Sequence, residues 1–139
     1  MADVDTLTRV FRDYLASMPP QLNYILPEDL AIAVREEEDK FFILDNRTPE
    51  AYAAGHIPGA VNIWMKDLLA PNNLARLPRD KKIVVCCWVG HTASQLLPIL
   101  STLGFDAIGL KYGMGTAKQS SESKLGWAEQ NLPVETNKA

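Results

Sequence analysis

The chain has 139 residues, 47% of them hydrophobic, with 14 Lys and Arg against 17 Asp and Glu for a formal net charge of −3. That suits one hydrophobic core and not two. The charges are interspersed with no basic stripe, which argues against nucleic acid as a partner, and no apolar run approaches the ~20 residues of a membrane span.

The first twenty residues carry Asp3, Asp5, Arg9, Arg12 and Asp13, spaced so that no apolar signal core forms. The chain therefore reads as a soluble cytoplasmic protein. Val4, Leu7, Phe11, Tyr14, Leu15 and Met18 recur at helical spacing, which predicts an amphipathic helix over 4–17 ended by Pro19-Pro20. Residues 1–20 form an extension on a single domain spanning 21–135. The apolar face over 4–18 must pack on that domain, on a protein partner, or on a second copy in a dimer.

A short extended piece is expected around Asn23-Tyr24-Ile25. Pro27 then opens a helix, PEDLAIAVREEED, in which Glu28 and Asp29 complement the positive end of the helix dipole. Leu26 is a poor N-cap for it. Phe41-Phe42-Ile43-Leu44 is a short continuous apolar run, the pattern of a strand buried on both faces. Asp45-Asn46-Arg47 follows, then Thr48 as an N-cap, Pro49 at the first helical position and a short helix through Tyr52. Gly55 to Gly59 is a turn, and Ala60 to Ile63 a further short strand.

Residues 65–80 read as irregular or short-helical. Ile83 to Cys86 is the next buried strand. From Thr92, the residues Leu96, Ile99, Leu100 and Leu103 trace one helical face closed by Gly104, and Pro98 should kink that helix or shift its start. Ala107 to Leu110 is the last strand, followed by a glycine-bearing loop from Lys111 to Gly115. Trp127 and Leu132 should anchor a C-terminal helix of two to three turns. Short buried strands alternating with helices predict an α/β layered fold with a largely parallel sheet.

The two cysteines, Cys86 and Cys87, are adjacent. Their Cα atoms lie ~3.8 Å apart, below the ~4.4–6.8 Å of ordinary disulfides, so both thiols should be reduced. Cys86 belongs to the strand and reads as a packed residue. Cys87 falls after the strand and before a helix, where ligands bind in parallel α/β folds. Gly90 permits a tight loop, and backbone N–H groups of 88–92 could curl around the sulfur. The helix start adds positive potential, which favours thiolate, the nucleophilic form. Two separated histidines and adjacent cysteines make no metal-ligand pattern.

Three blocks, FFILDNRTPEAYAAGHIPGAVNI (41–63), VVCCWVGHTASQLLPILSTLGF (84–105) and GLKYGM (109–114) with Trp127 beyond it, resemble the rhodanese family. The resemblance covers nearly everything from 22 to 132. It implies a central, mostly parallel five-stranded sheet flanked by helices, and a sulfurtransferase whose six-residue active-site loop is Cys87-Trp88-Val89-Gly90-His91-Thr92. Cys87 would be the nucleophile, taking sulfane sulfur from a small-molecule or protein-borne donor as a persulfide. It would then pass the sulfur to cyanide or a thiol, with ping-pong kinetics and no cofactor. Trp88, Val89, Gly90, His91 and Thr92 would surround the persulfide, with Trp88 as pocket wall or as a core or interface aromatic. Arg47 would either hold an anionic donor, as in some members, or engage in a structural salt bridge, and Asp45 would support the loop. His56 is expected to be structural, and His91 to point outward.

One departure concerns the donor. Thiosulfate users of the family carry cationic residues right after the cysteine, whereas Trp88 and Val89 are apolar and suit a persulfide on a protein or a larger organic thiol. The related phosphatases need a longer loop ending in arginine, and this loop has neither Lys nor Arg. The remaining alternative is a non-catalytic binding or regulatory module on the same fold.

Overall fold

The computed structural model describes residues 3–115 and 125–137. Five segments form strands: β1 (Tyr24–Ile25), β2 (Phe41–Asp45), β3 (Val61–Asn62), β4 (Lys82–Cys86) and β5 (Ala107–Leu110). They make one sheet in the order β1-β5-β4-β2-β3, and every pairing is parallel. Parallel neighbours need crossover connections, and helices supply them. The helices are α1 (Val4–Ala16), α2 (Pro27–Glu37), α3 (Pro49–Ala54), α4 (Pro71–Leu74) and α5 (His91–Thr102). None of them is long and apolar enough to cross a membrane.

The central strands are covered on both sides, which explains their unbroken apolar runs. Leu44, Ile83, Val85 and Cys87 join Ala93, Leu96, Leu97 and Leu100 of α5 in one cluster. Ile43, Val84 and Cys86 face the other way, with Leu30 of α2, Ile57 and Trp127. Neighbouring residues of a strand thus serve opposite layers. Cys86 and Cys87, adjacent in sequence, lie on opposite faces of the sheet.

Several local signals act as expected. Thr48 Oγ1 accepts the Ala51 N–H at 3.3 Å and caps α3, which runs on to Ala54. Leu26 gives α2 no side-chain cap. Gly104 takes a left-handed φ of 91° just past α5. Pro98 lies inside α5, which starts at His91 and runs through it. The proline lacks the N–H that would have bonded the Ser94 carbonyl, and its ring crowds that carbonyl.

The C-terminal segment differs from expectation. Instead of two to three helical turns, Trp127–Gln130 forms a single 3-10 turn. Asn131 adopts a left-handed φ of 57°, and Pro133 follows two residues later, so no helix can continue. The Trp127 indole N–H donates to the Pro133 carbonyl at 2.8 Å and folds the chain back. Helix α1 rests against α5 but buries no residue fully, and Val4 and Leu15 remain 70% and 65% exposed.

The turn at Asn131 yields a stability test. Asn131→Val should cost about 1–2 kcal/mol in urea denaturation, the penalty of a left-handed backbone for a side chain branched at Cβ. Asn131→Gly should be near neutral. Equal losses in both variants would show that the side chain, not the backbone, holds this turn.

Candidate active site

The carboxyl ends of β2, β4 and β5 converge at one edge of the sheet. After β4 the chain leaves Cys86, places Cys87, and turns through Trp88, Val89 and Gly90 into α5. Gly90 has a φ of 101°, which a residue with a side chain rarely adopts. This turn brings the start of α5 back over the sulfur. The Gly90 N–H donates to Cys87 Sγ at 3.0 Å and the Ala93 N–H at 3.3 Å. The cradle expected from residues 88–92 is therefore built by one amide inside the loop and one just beyond it.

The segment after β5 braces the loop from below. The Met114 N–H donates to the Cys87 carbonyl and the Gly115 N–H to the Trp88 carbonyl, both at 2.8 Å. Close approach at Gly113 makes this possible: its φ is 56°, and a Cβ there would lie 2.4 Å from the Cys87 carbonyl oxygen. Ser94 Oγ donates to the Gly90 carbonyl at 2.7 Å and lies 2.9 Å from the Tyr24 hydroxyl. The loop is thus tied to β1 as well.

Cys87 is only 1% exposed. Its sulfur sits at the base of the loop, and the half-buried Trp88 packs against the same cluster. The Trp64 ring meets Trp88 edge to face, with centroids 6.3 Å apart and planes at 83°. Val89 is half-buried beside it, while His91, the first residue of α5, is exposed. Thr92 is half-buried and turns its hydroxyl inward, donating to Asn46 Oδ1 at 3.5 Å.

Arg47 and Asp45 lie together away from solvent. Arg47 is 1% exposed, and its Nε and Nη2 donate to the Asp45 carboxylate at 3.0 and 2.7 Å. Nη2 also donates to the Gly55 carbonyl at 2.7 Å. Of the two roles the sequence leaves open for Arg47, donor holding and a structural salt bridge, its geometry is the second, a strut joining the end of β2 to the turn after α3. Burial disfavours its charge, yet the hydrogen bonds and charge of Asp45, with smaller help from the two thiols, outweigh that and raise its pKa above the ordinary arginine value. Asn62 Nδ2 donates to the carbonyls of Asp45 and Arg47 and fixes the same segment from β3.

The two cysteines have different surroundings. Burial, reinforced by the Asp45 charge and opposed by Arg47, pushes the Cys86 thiol well above the ordinary cysteine value. Cys86 is a packed thiol. His56 is buried, stacked on Tyr52 with centroids 3.7 Å apart, and its Nδ1 lies 2.8 Å from the Tyr52 carbonyl.

Three contributors escaped the sequence reading. Ala93 acts through its backbone and leaves no side-chain signal. Gly113 was visible only as one glycine of a loop. Asn46 had a legible sign: alternation along FFILDN places it with Leu44, on the face of Cys87 and opposite to Asp45.

Two substitutions test the supports. Arg47→Ala should cost about 3–5 kcal/mol in denaturant unfolding, because it strands the Asp45 carboxylate in the core. Replacing both partners, as Asp45→Leu with Arg47→Met, should recover part of it. Gly113→Ala should lower stability by at least roughly 1–2 kcal/mol and speed alkylation of Cys87 as the brace loosens. Unchanged stability and labelling would remove the brace from this account.

The comparisons agree with this geometry. The chain matches the family model of the Rhodanese-like domain over residues 27–116. It is 28% identical over 114 residues to a sulfurtransferase of Allochromatium vinosum, covering 81% of this chain and 94% of that one. A rhodanese-related protein of Thermoplasma volcanium superposes with a TM-score of 0.60 at 27% identity, over 76% of this chain and 93% of the other. A Bacillus halodurans protein shares the fold with a TM-score of 0.67 at 23% identity, over 97% and 88%. With a cysteine-bearing loop at the carboxyl edge of a five-stranded parallel sheet, the chain belongs to the rhodanese-like domain family.

Proposed function

We propose that this protein transfers sulfane sulfur through a persulfide on Cys87. The observation that carries the reading is the pair of amides, Gly90 and Ala93, aimed at Cys87 Sγ at 3.0 and 3.3 Å. Preorganised N–H donors at a helix start suit a sulfur that is anionic as the thiolate before loading and again once the outer sulfur has been passed on. With thiosulfate, the Cys87 thiolate attacks the outer sulfur, the Sγ–S bond forms, and sulfite leaves with the electron pair of the broken S–S bond. A thiolate or cyanide then attacks the terminal sulfur, and Cys87 regains its electron pair as the Sγ–S bond breaks. The two displacements balance without an external oxidant or reductant.

The rim points to the class of donor. Trp88, Val89 and Trp64 surround the loop with apolar surface, and the cation of Arg47 is engaged inside the core by Asp45. A dianion such as thiosulfate finds little to hold it there. An organic persulfide on a peptide-like thiol gains apolar contact at the same rim and is the favoured donor. Arg47 serves the reaction as a support of the segment after β2.

A second reading has one specific observation behind it. Cys87 is 1% exposed, as a packed cysteine in a non-catalytic binding module would be.

Intact-mass measurement separates the two readings. Reduced protein should gain one sulfur atom from glutathione persulfide at lower concentration than from thiosulfate or 3-mercaptopyruvate, and cyanide should remove it. Cys87→Ser should take none, and Cys86→Ser should load like wild type. No adduct from any donor, with slow alkylation of Cys87, would overturn the transfer reading and leave the binding module.

A further inference from the structure

We infer that Asn46 is a third donor of the site, its side-chain amide holding the terminal sulfur of the Cys87 persulfide. The inference rests on the transfer reading above and adds to it a residue that touches the reacting atoms. The register of β2 and β4 pairs Asp45 with Cys86, so Asn46 and Cys87 come next, side by side at the strand ends. The Asn46 N–H continues the ladder by donating to the Cys86 carbonyl at 3.0 Å. Alternation along β2 and β4 turns Leu44, Val85 and Cys87 to the α5 face, and Asn46 shares it, since its amide meets Thr92 of α5.

Every polar group of Asn46 except one has a partner. Its backbone carbonyl accepts from the Met65 N–H at 3.1 Å, and its Oδ1 accepts from the Thr92 hydroxyl at 3.5 Å. The remaining group, Nδ2, is completely buried and bonds to nothing among the described residues. An unmade hydrogen bond in a core is costly, and an apolar residue on this face would avoid that cost. The acceptor that would complete Asn46 is one that arrives during turnover. A persulfide adds one sulfur beyond Sγ, anionic and a hydrogen-bond acceptor, on the face of the sheet that Asn46 shares with Cys87. Gly90 and Ala93 hold the inner sulfur; Asn46 holds the outer one.

The test uses the full chain, with Asn46→Leu and Asn46→Asp beside wild type. Both variants lack the N–H, and they disturb the core in opposite senses. Each protein is titrated with glutathione persulfide and read by intact mass, and melting is measured before and after loading. Wild type should melt higher once loaded, because the orphan amide gains a partner. Both variants should need about tenfold more donor for half-loading, the scale of a hydrogen bond to a charged acceptor, and neither should gain the melting increment. Asn46→Leu should raise the melting temperature of the unloaded protein and Asn46→Asp should lower it. If Asn46→Leu does not fold, the loading and increment of Asn46→Asp decide. Half-loading of either folded variant at the wild-type concentration, with an undiminished increment, would overturn the role of Asn46 and leave the transfer reading intact. Failure of wild type itself to load would overturn both.

Discussion

The position of the sulfur depends on a backbone clasp between two loops that are distant in sequence. The amides of Met114 and Gly115 take the carbonyls of Cys87 and Trp88, and Gly113 is the only residue type that lets the strands of this clasp come so close. With those carbonyls occupied from below, the peptide N–H groups of the Cys87 loop turn upward. Gly90, in its left-handed conformation, then aims its own amide and that of Ala93 at Sγ. Remove the clasp and the helix start no longer faces the thiol.

Around this clasp, the fold spends its buried polar groups on rigidity. Asp45 and Arg47 form an ion pair that solvent does not reach, and its hydrogen bonds extend to the Gly55 carbonyl and, through Asn62, to β3. A buried pair of this kind contributes little net stability compared with apolar packing, and its loss by halves is expensive. Its value here is geometric, since it fixes the chain as it leaves β2, beside both cysteines. Asn46 stands between Asp45 and Arg47 in sequence but faces the opposite layer, so one tripeptide supplies a strut to one side of the sheet and an amide to the other.

The same alternation separates the two thiols. Cys86 belongs to the layer of Asp45 and Trp127, where burial keeps it protonated. Cys87 belongs to the layer of α5, where backbone N–H groups meet it. Adjacency in sequence gives them opposite environments because a strand changes face at every residue. Trp88 and Trp64 meet edge to face beside the loop, and the proposed preference for an organic persulfide over a small inorganic anion rests on that apolar surface.

Much of this was legible from residues alone. The five strand segments, the capping by Thr48, the stop at Gly104 and the loop at 87–92 are local patterns, and local patterns are set by side-chain period and turn chemistry within a few residues. The C-terminal helix was misread because Trp127 and Leu132 suggest a helical face, while Asn131 and Pro133 end it after one turn. What only the tertiary structure decided is which distant groups meet: Gly113 under Cys87, Arg47 sealed against Asp45 and Gly55, and Asn46 beside Thr92 with its side-chain NH2 unpartnered among the described residues. Such meetings depend on strand order and register, which arise from the packing of whole layers and leave no mark at any single position. The candidate thiol was therefore in the sequence, and the amides that face its sulfur were in the fold.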